Sequence, residues 1–295
     1  MNELVRRVTE IRATRPIAIR EAWNHRSRRP LLVDGRLFLL AADHPARGVL
    51  KAGSDPRAME DRGELLRRLV AALARPGVDG VLGTPDVLED LVLLGALEGK
   101  LAFGSMNRGG LAGSSFELDD RFTAYDAKAI ERDGLDGGKM MVRIADRDRG
   151  ALETMVSCAL AIDALAERGL QAIVEVFASR VDAEGTATNE LDAAALARAI
   201  AIASALGSTS GYTWLKIPVV EEMARVAAAT TLPLVLLGGD PGTDADATFA
   251  RWEAAMTLPQ VRGLVAGRAL LYPEGGDVAR AVDRAAAVVR KMVAA

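Results

Sequence analysis

The sequence has very few of the residues that build disulfides and histidine-rich metal centres. Its 295 residues include one cysteine, Cys158, and two histidines, His25 and His44. No disulfide can form within the chain, and we expect a reducing, cytoplasmic location. A zinc site needs several His or Cys ligands, so a metal enzyme of that kind is not expected. We predict no metal and no cofactor.

Long apolar runs and an excess of positive charge are also missing. No run reaches the roughly 18 apolar residues of a membrane-spanning helix, and the N-terminus lacks the apolar core of a secretory signal. Lys and Arg number 37 against 40 Asp and Glu, which argues against nucleic acid as a partner. With 50% hydrophobic and 26% charged residues, the composition is that of a globular protein.

The first part of the chain is predicted to be helical. We assign residues 1–30 to an N-terminal helical extension and residues 31–295 to the main domain. Leu4, Val5, Val8 and Ile11 share one helical face, and Pro16 should break the helix. We expect this extension, from Asn2 to about Arg26, to pack on the outside of the main fold.

In the main domain, short β-prone runs alternate with helical segments. The runs recur about every 32 residues, close to the ~30 residues of a βα unit. A doubly wound sheet is the alternative, but the first run ends in Ala42-Asp43-His44-Pro45 without a Gly-rich nucleotide turn. We therefore predict an α/β fold, a (β/α)₈ TIM barrel. The predicted strands are Leu37–Ala42, Gly80–Leu82, Leu101–Gly104, Lys139–Ile144, Ala172–Phe177, Thr213–Ile217, Leu234–Leu237 and Gly263–Ala266.

Four charged residues interrupt these apolar strands. Both faces of a barrel strand are buried, so a charge there is costly unless it is paired or functional. Side-chain alternation places Lys216, Glu175 and Lys139 toward the barrel axis, with Asp43 at the end of the first strand. Lys216 lies near the carboxyl end of its strand, where barrel active sites form. Lys139 begins its strand, so Arg143 is an alternative second cation.

These residue types suit amine catalysis. A lysine buried beside another cation has a lowered pKa and can attack a carbonyl to form a Schiff base. A nearby carboxylate can move the protons. The pattern predicts a class I aldolase with Lys216 as nucleophile. The alternative is two structural ion pairs, Lys139 with Glu175 and Lys216 with Asp43.

Glycines and a cation follow the last two strands, where barrels commonly bind phosphate. The turn 238–243 opens with Gly238 and Gly239, and Gly267 precedes Arg268. Backbone N–H groups and a guanidinium would hold the oxygens, although ordinary turns have the same composition. The polar loop 105–115, with Asn107, is either a substrate loop or a solvated connection. His44 is a further candidate substrate contact, and Cys158 is expected in the core.

The sequence from about Leu37 to Tyr272 resembles a group of class I aldolases. This group comprises the deoxyribose-phosphate, archaeal fructose-bisphosphate and tagatose-bisphosphate aldolases. The resemblance rests on the order of Ala42-Asp43-His44, Ile173-Val174-Glu175-Val176, Trp214-Leu215-Lys216-Ile217-Pro218 and Gly263–Arg268. It is strongest to the tagatose-bisphosphate branch, which includes sulfosugar-phosphate aldolases.

The resemblance implies a role for each matching residue. Lys216 would form the Schiff base, with Lys139, Glu175 and Asp43 assisting. The residues implied to bind phosphate are Gly238, Gly239, Gly267 and Arg268. The N-terminal extension, the loop 107–115 and Arg143 depart from the branch.

The implied substrate is a small phosphorylated keto sugar. A related subgroup gives a keto-deoxy-gluconate phosphate of inositol catabolism as one candidate. Two other functions stay open. One is a phosphate-binding isomerase or synthase that uses Asp43 and Glu175 as acid and base. The other is a non-enzymatic sugar-phosphate sensor. A homo-oligomer is compatible with the fold.

Overall fold

The computed structural model describes residues 3–240 and 244–290. Eight parallel strands close into a barrel in the order β1-β2-β3-β4-β5-β7-β8-β9, and β9 pairs with β1. A ninth strand, β6, runs antiparallel to the end of β5. The predicted (β/α)₈ TIM barrel is therefore confirmed. The strands are β1 Leu37–Ala41, β2 Gly80–Gly83, β3 Leu101–Ser105, β4 Gly137–Ile144, β5 Gln171–Val181, β6 Ala187–Glu190, β7 Thr213–Ile217, β8 Leu234–Leu237 and β9 Val261–Ala266.

Helices surround the barrel and precede it. Five of them, α3, α5, α6, α7 and α9, begin at an aspartate whose carboxylate accepts a hydrogen bond from the first turn. None of the helices in the described ranges has the length and apolarity needed to cross a membrane. The helices are α1 Glu3–Thr14, α2 Ile17–His25, α3 Arg62–Leu73, α4 Pro85–Leu93, α5 Ala127–Arg132, α6 Arg149–Ala166, α7 Ala193–Ala203, α8 Met223–Ala227, α9 Ala245–Ala255, α10 Arg268–Leu271 and α11 Val278–Arg290.

The sequence predicted the eight barrel strands to within a few residues and missed β6. Barrel strands are continuous apolar runs, whereas the hairpin of β5 and β6 is polar and partly exposed at its tip. It is held by backbone pairing between 178–181 and 187–190 and by a hydrogen bond from Ser179 Oγ to Asn189 Oδ1 at 2.8 Å. The hairpin rises above the carboxyl end of β5.

Apolar side chains fill the lower half of the barrel. Leu37, Leu39, Phe103, Ile173 and Val235 belong to this interior cluster, and each is at most 1% exposed. The segment before β1 packs against them from below through its leucines at 31 and 32. The amino end of the barrel is therefore closed, and the charged residues lie above an apolar floor.

The N-terminal helices pack on the outer helices, as predicted. Pro16 separates α1 from α2, and Met1 and Asn2 lie outside the described residues. Arg12 of α1 pairs with Glu89 and Asp90 on α4 at 2.9 Å each. After α2, the buried Arg26 donates to the carbonyl of Gly134 at 2.7 Å, which anchors the chain beneath β4. His25 is exposed, as expected.

Candidate active site

Four charged side chains meet at the centre of the barrel. Strand register sets Glu175 of β5 level with Lys216 of β7, while Lys139 lies two residues lower on β4. The Lys139 ammonium is 2.8 Å from Asp43 Oδ2 and 2.5 Å from Glu175 Oε2. Lys216 Nζ donates to Glu175 Oε1 at 2.6 Å. The four groups thus form one chain in the order Asp43, Lys139, Glu175, Lys216.

This chain of charges is buried. The exposed fractions are 4% for Asp43, 1% for Lys139, 6% for Glu175 and 3% for Lys216. Lys139 begins low in the barrel, but its four-carbon side chain reaches both carboxylates. The ion pair predicted between Lys139 and Glu175 is present. The pair predicted between Lys216 and Asp43 is not found among the described residues, since Lys216 pairs with Glu175 instead.

The two lysines have opposite pKa shifts. Burial lowers the pKa of Lys216, and the charge of Lys139 lowers it further. Together these two effects exceed the opposite effect of Glu175, the carboxylate that Lys216 contacts. Burial also acts to lower the pKa of Lys139, but Asp43 and Glu175 together raise it. Lys139 is therefore the lasting cation, and Lys216 is the amine that loses its proton more readily.

The carboxylates and His44 complete the electrostatics. Burial alone would raise the pKa of Asp43 and Glu175, yet the neighbouring ammonium groups hold both below their ordinary values. Burial lowers the pKa of His44 to about 4, so this imidazole is neutral near pH 7. Its Nδ1 is buried and has no hydrogen-bond partner among the described residues.

A cavity of about 760 Å³ opens above these groups at the carboxyl ends of the strands. Gly238, Gly239, Gly267 and Arg268, the residues predicted to bind phosphate, line one wall of this cavity. Arg268 Nη1 lies 3.0 Å from Asp240 Oδ1, and its Nε is buried without a partner among the described residues. The remainder of the predicted turn, Pro241, Gly242 and Thr243, lies outside the described residues.

Arg143 lies on the other side of this cavity. It lies near the carboxyl end of β4, which the strand order places across the barrel from β9 and Arg268. Arg143 Nη1 donates to Glu117 Oε1 at 2.6 Å, and its Nε has no partner in the part of the chain that the structure describes. Each of these two walls thus carries a guanidinium held by one carboxylate.

Asn107 does not make the predicted substrate contact. Its amide is used by strand β4, where Oδ1 accepts from the Met141 N–H at 2.7 Å and Nδ2 donates to the Met141 carbonyl at 2.6 Å. The side chain is fully buried and outside the cavity lining. The polar start of the loop 105–115 therefore completes the edge of β4, although Ala112 and Glu117 further along do line the cavity.

Sequence reasoning missed several polar residues around the site. Arg47 is buried, pairs with Asp120 and donates to the carbonyl of Asn107 at 2.6 Å, so it ties the loop to the end of β1. Asn189 of the hairpin also lines the cavity. Arg47 follows Asp43 by four residues, but its partners are far away in sequence, and only the fold brings them together. Cys158 is buried as expected.

No group of three His, Cys, Asp or Glu side chains within 3–240 and 244–290 is arranged to hold a metal ion. The charged groups of the site are two ammonium groups and two carboxylates, and each ammonium contacts a carboxylate. This arrangement suits proton transfer around an amine.

Comparison with known proteins gives the family and the fold. The crystal structure of Cgl0159 from Corynebacterium glutamicum (Brevibacterium flavum) is 49% identical, with a TM-score of 0.95 over 99% of this chain and 98% of that chain. An archaeal fructose 1,6-bisphosphate aldolase is 15% identical, with a TM-score of 0.66 over 92% and 99%. Another archaeal aldolase structure, with its catalytic lysine covalently bound to a carbinolamine intermediate, is 15% identical, with a TM-score of 0.64 over 92% and 99%. No curated protein matches the sequence.

The model of the Cgl0159-like family matches residues 35–286, which is most of the chain. The chain belongs to the Cgl0159-like family.

Proposed function

We propose that this member of the Cgl0159-like family is a class I aldolase in which Lys216 forms a Schiff base with a phosphorylated keto sugar. The observation that carries the proposal is the division between the lysines: Lys139 is held charged by two carboxylates, and the pKa of Lys216 is lowered beside it. The archaeal fructose-bisphosphate aldolases with the same fold give the proposal additional support. The tagatose-bisphosphate branch predicted from the sequence stays a prediction.

The proposed reaction begins at the amine of Lys216. Its lone pair adds to the ketone carbon, and the carbinolamine then loses water to give a protonated imine. Glu175 contacts the amine at 2.6 Å and is placed to move the protons of this step. Lys139 keeps Glu175 ionised and stabilises negative charge as it develops.

Cleavage follows from the imine. A carboxylate takes the proton of the substrate hydroxyl, the adjacent carbon–carbon bond breaks, and its electron pair moves into the imine to leave an enamine and an aldehyde. We assign this proton transfer to Asp43, which lies at the opposite end of the charge chain from Lys216. Protonation of the enamine carbon and addition of water then release the ketone and restore the amine.

Arg268 and Arg143 lie on opposite walls of the cavity, which favours a substrate that is anionic at both ends. Glycine N–H groups and Arg268 would bind the phosphate. Around Arg143 the cavity is lined by Met141, Phe177 and Asn189 without glycine turns, and Arg143 already holds the carboxylate of Glu117. A carboxylate fits that end better than a second phosphate, in agreement with a keto-deoxy-gluconate phosphate as candidate.

Borohydride trapping tests the proposal. The protein is treated with borohydride in the presence of each of a panel of phosphorylated ketoses and keto acids, and the adduct is located by peptide mass spectrometry. We expect an adduct on the peptide that contains Lys216 and none in Lys216→Met. Lys128→Arg, a change at an exposed lysine of α5, serves as the matched control and should trap normally.

Lys216→Arg separates the aldolase from the alternatives. Arginine keeps the charge but cannot form an imine, so aldol cleavage should fall to background. Retained turnover in this variant would favour an isomerase or synthase with Asp43 and Glu175 as acid and base. Tight sugar-phosphate binding without turnover in the unmodified protein would favour a sensor.

A further inference from the structure

Helix α6 carries an apolar stripe on its outer face. Leu152, Val156 and Leu160 are 59%, 52% and 67% exposed, although their type favours burial. They recur at intervals of four residues, so they lie along one side of the 18-residue helix. The opposite side of the helix is buried, with Thr154, Cys158 and Leu165 in the protein interior. The stripe is therefore a second apolar face that the fold does not cover.

The apolar area continues onto the neighbouring helix. Leu152 and Met155 of α6 line the same small cleft as Ile202, which belongs to α7. The outer residues of α7 are alanines 194 and 201 and, between them, Arg198, which pairs with Asp146 at 2.8 Å. The apolar surface therefore lies mainly on α6 and extends to Ile202 of α7.

Charged residues flank the stripe with opposite sign at its two ends. Arg149 lies seven residues before Val156, and Asp163 lies seven residues after it. At about 100° per residue, the five residues fall within about 80° of the helix circumference. Arg149 is exposed, and its side chain has no hydrogen bond or ion pair with residues 3–240 and 244–290. Asp163 accepts hydrogen bonds from Ser208 and keeps its negative charge beside the stripe.

This arrangement is complementary to itself. When two α6 helices lie antiparallel with Val156 on the twofold axis, Leu152 meets Leu160 of the second copy, and Arg149 meets Asp163 twice. Such isologous contacts are typical of C₂ dimers. A surface that binds a different protein has no need for charges and apolar residues placed symmetrically about Val156. We propose that α6, with the adjoining surface of α7, is the interface of a homodimer. This inference is independent of the proposed function.

A cysteine on the proposed axis tests this geometry directly. In Val156→Cys, the two new thiols face each other across the axis, so mild oxidation or a short bis-maleimide should give a covalent dimer. Cys158 is fully buried and should not react. Ile17→Cys, an equally exposed position on α2, is the control and should stay monomeric on a denaturing gel.

Sedimentation equilibrium measures the assembly in solution. We expect a mass twice that of the 31.2 kDa chain. Val156→Arg should give a monomer with an unchanged circular dichroism spectrum. Arg149→Glu should raise the dimer Kd roughly tenfold, because two attractive pairs become repulsive. A monomer at all concentrations, or a dimer that Val156→Arg leaves intact and Val156→Cys does not cross-link, would overturn the proposal.

Discussion

Replacing Lys139 by methionine tests whether the buried charge chain depends on its central cation. Methionine keeps much of the apolar stem but removes the ammonium that contacts Asp43 and Glu175. Removing one partner from a buried ion pair costs about 3–5 kcal/mol, because the remaining charge is left without compensation. Since domains are stable by only about 5–15 kcal/mol, we expect a large loss in the free energy of unfolding.

The sign of the pH dependence separates charge from packing. In the native protein, the lowered pKa values of Asp43 and Glu175 contribute stability near neutral pH, which is lost as the pH falls through those values. Without Lys139, burial raises the pKa of Asp43, while Glu175 keeps its contact with Lys216. The variant therefore loses stability as the pH rises through the pKa of Asp43. The difference between the two proteins should therefore be largest at pH 7 and shrink toward about pH 4.

Urea unfolding at the two pH values measures this difference. Adding Asp43→Asn to Lys139→Met removes the carboxylate that has lost its ammonium partner, and we expect a favourable coupling of about 1–3 kcal/mol. An equal loss at both pH values, with no coupling, would refute the electrostatic reasoning and leave a packing defect as the cause. In the single variant Lys139→Met, the pKa of Lys216 should also rise, because a neighbouring positive charge is gone. Borohydride trapping should then shift to higher pH.

Two further predictions concern the cavity wall. Because the pKa of His44 is about 4, the free energy of unfolding should fall by about 3 kcal/mol in total as the pH drops from about 6.5 to 4. In urea unfolding, His44→Gln should lack this pH-dependent loss. An imidazole NMR titration midpoint near 6.5 would contradict the prediction. Gly267→Ala should cost about 1–3 kcal/mol in thermal unfolding and weaken sugar-phosphate binding, because the new Cβ would lie 2.3 Å from the Ala41 carbonyl oxygen and 2.7 Å from His44 Cε1. Gly239→Ala, with open space but a φ of +69°, is the control: it should lose about 1–2 kcal/mol from backbone strain, and equal weakening of binding in both variants would argue against a steric effect.

The barrel could be predicted because each of its strands has a recognisable pattern in a short stretch of sequence. A strand buried on both faces needs a continuous apolar run, and side-chain alternation then determines which residues face the axis. The inward positions of Lys216 and Glu175 followed from this alternation alone. The polar hairpin at Ala187–Glu190 has no such pattern and was missed.

Of the charge pairs, Lys139 with Glu175 was considered from the sequence. The pairing of Lys216 could not be predicted, because it depends on the register between strands. Sequence alternation does not say that Glu175 lies level with Lys216, or that Lys139 lies two residues lower and still reaches Asp43. The role of Asn107 was wrong for the same reason. Its amide bonds the backbone of Met141 in β4, which the pairing of β3 with β4 brings within reach.

The packed barrel floor leaves the charged groups accessible from one side only. Interior side chains and the segment before β1 seal the amino end, so anything that enters must leave by the way it came. For a reaction that splits one molecule into two, a single opening sets the order in which the two products leave. In the proposed cleavage, the fragment that is not bound to Lys216 would depart first, and the bound fragment would follow only after water has entered by the same route.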